Sequence, residues 1–218
     1  MIKVENLTKE FIQGNRTITA LADVSLEIPK GQITSIEGQS GSGKTTLLAL
    51  MSGLDRADKG RIEILGNDLT KMSEQELTDF RAKHIGIVFQ QFHLMPHLTA
   101  LENVQLPLEI NQETDVKDRA LSALEQVGLL DRIHHLPSQL SGGECQRVAI
   151  ARAFIMKPTL LLADEPSGNL DLESAKRVMD LLFKLSQDFG LTLVLVTHDS
   201  ELAERCETHF TLRGGKLQ

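Results

Sequence analysis

Tryptophan and tyrosine are absent from this 218-residue chain, and its aromatic content is eight phenylalanines. Stacking against a heterocycle therefore falls to Phe or His. Cysteine is nearly absent too. Cys145 and Cys206 stand far apart without metal-site or redox spacing, which excludes a disulfide framework or a zinc ribbon and suits a reduced, cytosolic protein. No apolar run approaches the roughly 18 residues of a membrane span; the longest, near 159–163 and 191–196, have the length of strands. The opening Met1-Ile2-Lys3-Val4-Glu5 is too short in apolar residues, and acidic too early, for a signal peptide. Basic charge is outweighed, 23 Lys and Arg against 30 Asp and Glu, for a net charge of -7. That balance argues against a nucleic-acid partner and against unaided binding to an anionic membrane.

What is present is an ordinary globular composition, 41% hydrophobic and 24% charged, long enough for one sizeable core. Strand patterns are expected at 2–7 and through Val24, Leu26 and Ile28, closed by the turn Pro29-Lys30-Gly31. A short strand at 33–37 leads to a helix at 44–51. Another strand at 61–65 precedes a turn at Gly66-Asn67-Asp68. Ser73 and Glu76 have capping-box spacing at the head of a helix over 73–83, and 85–89 reads as a buried strand. From 91 to 136 helical signals replace strand signals. Asp115 is expected to cap a helix with Ala120, Leu121, Leu124 and Val127 on one stripe, stopped by Gly128. Strands return at 159–163 and 191–196, around an amphipathic helix bearing Val178, Leu181, Leu182 and Leu185 and ending near Gly190. A last strand at 208–212 turns at Gly214-Gly215. This order predicts an α/β fold: a core of mostly parallel sheet flanked by helices, an N-terminal antiparallel β subdomain, and an α-helical subdomain at about 91–157, all in one domain spanning 1–218.

Three motifs carry chemistry. Gly38-Gln39-Ser40-Gly41-Ser42-Gly43-Lys44-Thr45 matches the phosphate-binding loop pattern G-x-x-x-x-G-K-[ST], placed between a strand and a helix, with Thr46 following. Glycines let successive backbone N–H groups turn inward around a polyphosphate, the helix adds its positive end, and Lys44 adds a mobile charge. Leu160-Leu161-Leu162-Ala163-Asp164-Glu165-Pro166 is an apolar strand ending in two carboxylates, suited to holding a cation and polarising a water. Leu140-Ser141-Gly142-Gly143-Glu144 opens a third segment, where two glycines and a serine precede an apolar-periodic helix and form a second phosphate receptor or an ordinary capped helix start.

These motifs, in this order, resemble those of the nucleotide-binding subunit of an ATP-binding-cassette (ABC) transporter, a P-loop NTPase, over essentially the whole chain. The resemblance implies ATP as substrate and Mg²⁺ as cofactor. It implies that the loop from Gly38 to Thr46 binds the nucleotide phosphates, and that Thr45, Gln90 and Asp164 hold the metal. Lys44, Gln90, Glu165 and His198 then serve catalysis, with Gln90 reached from Val88-Phe89-Gln90 and His198 from Val196-Thr197-His198-Asp199. Ser141, Gly142, Gly143 and Glu144 match the family signature, and Ser167-Gly168-Asn169-Leu170-Asp171 its D-loop. Phe11 falls where the family stacks an aromatic ring on adenine, although tyrosine is usual there and a lone Phe also suits a core. Asp171 equally fits a helix cap. Cys145 stands where glutamine or arginine is commoner.

The same resemblance implies two partners: a second copy of the chain in a head-to-tail sandwich around ATP, and an integral membrane permease that holds the cassette at the inner face of the cell membrane. The stretches around Gln90 and Asp164 are similar to those of the lipoprotein-release and macrolide-export group, which transmits motion to periplasmic domains. Cassettes of DNA repair carry a long insertion after the glutamine that this chain lacks, and translation-type proteins fuse two cassettes. A second reading stays open, in which ATP-driven dimerisation signals to a membrane partner with little turnover. Phe92, Leu94, Met95 and Leu98, just after Gln90, could each pack the core of the helical insertion; as a group they are expected to form a partly exposed apolar groove for a permease helix.

Overall fold

In the computed structural model, which describes residues 1–14 and 16–218, the chain opens as a long antiparallel ribbon, β1 (Ile2–Gln13) and β2 (Arg16–Ile28), followed by β3 (Ile33–Glu37) and α1 (Lys44–Met51). Then come β4 (Lys59–Ile64), β5 (Asn67–Asp68), α2 (Glu74–His84) and β6 (Ile85–Phe89). Helices α3 (Ala100–Ile110), α4 (Val116–Gln126) and α5 (Gly142–Phe154) precede β7 (Leu160–Asp164). The chain finishes with α6 (Leu172–Asp188), β8 (Thr192–Thr197), α7 (Ser200–Glu204), β9 (Thr208–Arg213) and β10 (Lys216–Leu217). Two compact units divide it, one of Met1–Arg81 with Leu191–Gln218, the other of Ala82–Gly190.

The first unit holds an antiparallel sheet in the order β2-β1-β4-β5. Its buried face alternates as a half-buried strand should: Ile2, Val4 and Leu7 of β1 lie inside with Val24, Leu26 and Ile28 of β2 and Ile62 and Ile64 of β4. Both early strands run further than apolar alternation suggests, to Gln13 and from Arg16. Most of that outer half is exposed on both faces, so no alternation marks it, and cross-strand bonding alone continues the ladder. Asn67 and Asp68, expected in a turn, instead pair with Ile64 and Glu63. The reversal falls one step earlier, at Leu65 and Gly66, both at positive φ (55° and 79°), the two-residue geometry that suits a twisted hairpin.

In the same unit β3 runs parallel to β8 on one side and to β9 on the other, and β9 and β10 form the closing hairpin. Both β3 and β8 are buried along nearly their whole length, as central parallel strands covered on both faces require.

The second unit pairs β6 with β7 in parallel, from Ile85 opposite Leu160 to Phe89 opposite Asp164. Its helices α3, α4 and α5 pack on one another, and Val104, Leu108, Ala120, Leu124, Val148 and Ile150 on them are buried. Helix α6 buries Val178, Leu182 and Leu185, each worth roughly 1.5–3 kcal/mol when removed from water, while Leu181 sits at the edge of the stripe, half-buried. Asp115 does not cap α4 with its side chain. It lies in the left-handed region at φ 54°, whereas a side-chain cap needs extended backbone, and α4 starts from the Asp115 carbonyl instead. Among the described residues no helix is long and apolar enough to cross a membrane.

Candidate nucleotide-binding site

Strand β3 ends at Glu37 and delivers the chain into the glycine-rich loop. Gly41 and Gly43 take positive φ, 78° and 103°, and a Cβ on Gly43 would strike the Ala20 carbonyl, so only glycine fits there. Helix α1 then begins without any side-chain cap and without an acidic residue in its first turn. The positive end of its dipole, not countered by an acidic side chain, suits an external anion. Lys44 is buried, at 6% exposure, and its Nζ donates to the carbonyl oxygens of Gly38 (2.7 Å) and Gln39 (3.1 Å), drawn back across the loop it would serve. Gln39, Ser40 and Thr45 face solvent; Gly38 and Thr46 are half-buried.

His198 belongs to this unit as well. Glu37 and Thr197 are register partners of the parallel pair β3–β8, so Gly38 and His198 leave neighbouring strands at the same carboxyl end, where open α/β sheets bind ligands. His198 is exposed, and the turn carrying it is braced on its far side. Asp199 N–H donates to Thr197 Oγ1 (3.0 Å), and Asp199 Oδ1 caps α7. Phe11 lies on the exposed part of β1 at 43% exposure rather than in the core. Lys9, tied to Asp55 Oδ1 (2.8 Å) and the Arg56 carbonyl (2.7 Å), places its ammonium 5.2 Å from the Phe11 ring centroid.

The second unit repeats the arrangement with different chemistry. Phe89 and Asp164 are register partners at the carboxyl ends of β6 and β7, so Gln90 and Glu165 follow side by side. Asp164 and Glu165 are half-buried. Glu165 takes φ 44°, uncommon for a residue with a side chain, which turns the chain sharply after the strand.

Two residues that sequence reasoning passed over hold this corner from α5. Gln146, fully buried, donates through Nε2 to the carbonyl oxygens of Phe89 (3.2 Å) and Pro166 (2.7 Å). Arg152 donates to the carbonyls of Phe92 (2.8 Å) and His93 (2.6 Å), and burial pulls its guanidinium pKa below the usual value. Phe92 and His93 both adopt φ 48°. Gln146 was findable, because an uncharged polar residue on the apolar stripe of a helix signals a buried, bonded amide. Nothing in the sequence marks Arg152.

The signature segment also lies in the second unit. Ser141 is the N-cap of α5 in a full capping box: its Oγ accepts from Glu144 N–H (3.3 Å), and Glu144 Oε2 accepts from Ser141 N–H (2.8 Å) and Oγ–H (2.9 Å). The Ser141 backbone N–H first, with its hydroxyl and Arg132, holds the Glu144 carboxyl below the usual carboxylate range against the opposing effect of burial. Gly143 lies hard against α6, where a Cβ would come 3.1 Å from Ser174. Asp171 caps α6 by accepting from Ser174 N–H (3.0 Å), which lowers its pKa. Both cysteines are free and buried, with thiol pKa values raised by burial, that of Cys206 to about 11; they are inert here.

The candidate metal donors are oxygens only: the Thr45 hydroxyl, the Asp164 carboxylate and the Gln90 amide carbonyl. Among the described residues no three His, Cys, Asp or Glu side chains converge as a self-sufficient metal cage. Such a set fits a hard cation that arrives with phosphate oxygens and keeps waters.

The sequence profile of the ABC transporter family matches residues 21–168. The chain is 46% identical to the ABC transporter ATP-binding protein YbbA of Escherichia coli K12, covering 100% of this chain and 96% of that protein. To the lipoprotein-releasing system ATP-binding protein LolD of Treponema pallidum it is 43% identical, covering 100% and 97%. Among solved structures, the dimeric post-hydrolysis state of the ATP-binding cassette MJ0796, bound to ADP and Pi, superposes with a TM-score of 0.93 at 42% identity, covering 100% of this chain and 97% of that one. With a glycine-rich loop leading into an uncapped helix in one unit and successive carboxylates at a strand end in the other, this chain belongs to the ABC transporter family as one of its ATP-binding, ATP-hydrolysing subunits.

Proposed function

We propose that the protein works as a pair of copies on the inner face of the cell membrane, attached through an integral permease, and powers lipoprotein or peptide release or export by transmitting motion. The likeness to YbbA and LolD along the full chain carries this reading.

In the proposed mechanism the N–H groups of 38–46 and the Lys44 ammonium bind the β- and γ-phosphates, and Phe11 stacks on adenine. Thr45, Asp164 and Gln90 would hold Mg²⁺, which would supply charge neutralisation for the phosphates. Glu165 orients a water and takes its proton as the water oxygen bonds to the γ-phosphorus. The bond to the bridging oxygen breaks, and ADP leaves with that electron pair. His198 donates to the γ-phosphate oxygens. Ser141, Gly142 and Gly143 of a second copy close over the same phosphate, the Ser141 hydroxyl exchanging Glu144 for the anion, with Glu144 and Asp171 shaping that face. ATP then joins two copies, and its hydrolysis separates them, which shifts the population between closed and open pairs.

The test is co-expression with candidate integral membrane permeases from the same genome, followed by ATPase assay in lipid. Co-purification and Mg²⁺-dependent turnover that rises in the complex are expected. A chain that hydrolyses ATP but binds no membrane partner would defeat the transport reading.

A further inference from the structure

The backbone on either side of Gln90 is fixed from α5: Gln146 holds the Phe89 carbonyl and Arg152 the Phe92 carbonyl. What remains to be set is the direction of the Gln90 side-chain amide, whose two ends do opposite chemistry. An NH2 group facing a cation or a water proton is useless there, whereas the carbonyl oxygen can ligate the one and accept the other.

Asn169 decides between them. Its Nδ2 donates to the Gln90 backbone carbonyl at 3.1 Å, and Gln90 Nε2 donates to Asn169 Oδ1 at 3.2 Å. A backbone carbonyl only accepts, so the NH2 of Asn169 must face it and Oδ1 must face the Gln90 side chain. Oδ1 only accepts in turn, so Gln90 presents its NH2 to Asn169 and turns Oε1 the other way. Gly168 leaves the room for this contact, since a Cβ there would come 2.8 Å from Gln90 Nε2.

We propose that Asn169 is a positioning residue that orients the Gln90 amide, so that its carbonyl end serves the hydrolytic centre. The proposal rests on the role given to Gln90 above. Asn169 itself is exposed, and its replacement by alanine is expected to leave the fold intact.

Two measurements on Asn169→Ala, Gln90→Ala and the double variant test it. In nucleotide-free protein the Gln90 side-chain 1H–15N pair, assigned by its loss in Gln90→Ala, moves in Asn169→Ala toward the position of a solvated glutamine and exchanges faster with water. In steady-state ATPase, Asn169→Ala lowers kcat by roughly threefold to tenfold, the worth of one net hydrogen bond, with KM for ATP within about twofold. The double variant loses no more than Gln90→Ala alone. An unmoved Gln90 resonance, or kcat losses that multiply in the double variant, overturns this proposal alone. Wild-type kcat in Gln90→Ala overturns the role of Gln90 and this proposal together.

Discussion

Gln146 Nε2 donates to the Pro166 carbonyl at 2.7 Å and to the Phe89 carbonyl at 3.2 Å, while its own Oε1 is buried and has no partner among the described residues. One amide on the signature helix therefore joins the exits of β6 and β7, next to Gln90 and Glu165. Replacement tests the link with a built-in contrast. Gln146→Met removes both donated bonds but also the partnerless oxygen, and is expected to cost about 1 kcal/mol. Gln146→Glu puts a carboxylate against two carbonyl oxygens and costs more, roughly 3 kcal/mol at pH 8. Its deficit shrinks toward pH 5, because protonation restores one donor. Urea unfolding at the two pH values gives the comparison; equal costs at pH 8 would contradict the amide's assigned direction.

The elements legible in the sequence were those whose burial wrote a period into it. Strands β3 and β6 and helix α1 lie where apolar runs and glycine punctuation place them. Where burial is missing the pattern goes silent: the outer halves of β1 and β2 are held by ladder bonds between mostly exposed residues such as Glu10 and Thr19. Asp115 shows a different limit, since its residue type suits a cap but its left-handed backbone prevents one. The candidate site residues stand in the sequence as motifs, whereas the bonds made by Gln146, Arg152 and Asn169 depend on tertiary approach between residues up to 79 positions apart, which no local spacing encodes.

Lys44→Ala is expected to abolish turnover. Its ammonium is the only side-chain charge within the loop from Gly38 to Thr45, and it now rests on the carbonyls of Gly38 and Gln39. Loss of one such charge on a transferred phosphoryl group costs roughly 100-fold or more. Wild-type-like ATPase in this variant would remove the loop from the site.

Glu165→Gln keeps shape and hydrogen bonding but removes the base. Hydrolysis is expected to fall by roughly 100-fold or more while ATP binding survives, so ATP with Mg²⁺ accumulates a dimer on size exclusion. A variant that binds ATP tightly and stays monomeric at high concentration counts against the sandwich of two copies.

The Glu144 carboxyl, lowered in the folded protein by Ser141, carries a pH signature. A carboxylate with a depressed folded pKa contributes stability that is complete above its unfolded value, about 4.3. That contribution is lost as pH falls through the lower folded value. Glu144→Gln should therefore be less stable than wild type at pH 7, with the gap closing below pH ~4. A gap in urea midpoint that widens with acid would contradict the assignment.

Force should leave the cassette just past Gln90. Phe92, Leu94 and Leu98 are half-buried and Met95 is 46% exposed, so none of this apolar set is enclosed. The backbone that carries them is nevertheless anchored at several points. Arg152 grips the carbonyls of Phe92 and His93. Asn103, fully buried on α3, accepts from Met95 N–H (2.8 Å) and donates to the carbonyls of Met95 (3.2 Å), Leu98 (2.9 Å) and Thr99 (3.0 Å). An irregular segment braced by two helices, with apolar side chains standing partly in water, suits a surface that receives a permease helix and passes its displacement on without yielding. Met95→Glu is expected to leave folding and the basal ATPase of the isolated chain within about twofold, since it adds a charge at an exposed position. In the assembled complex the same change should cut permease-stimulated turnover and transport by roughly tenfold, the loss of one well-packed interface anchor. A variant that couples normally in the complex, or one whose basal ATPase falls in step with transport, would place the docking surface elsewhere.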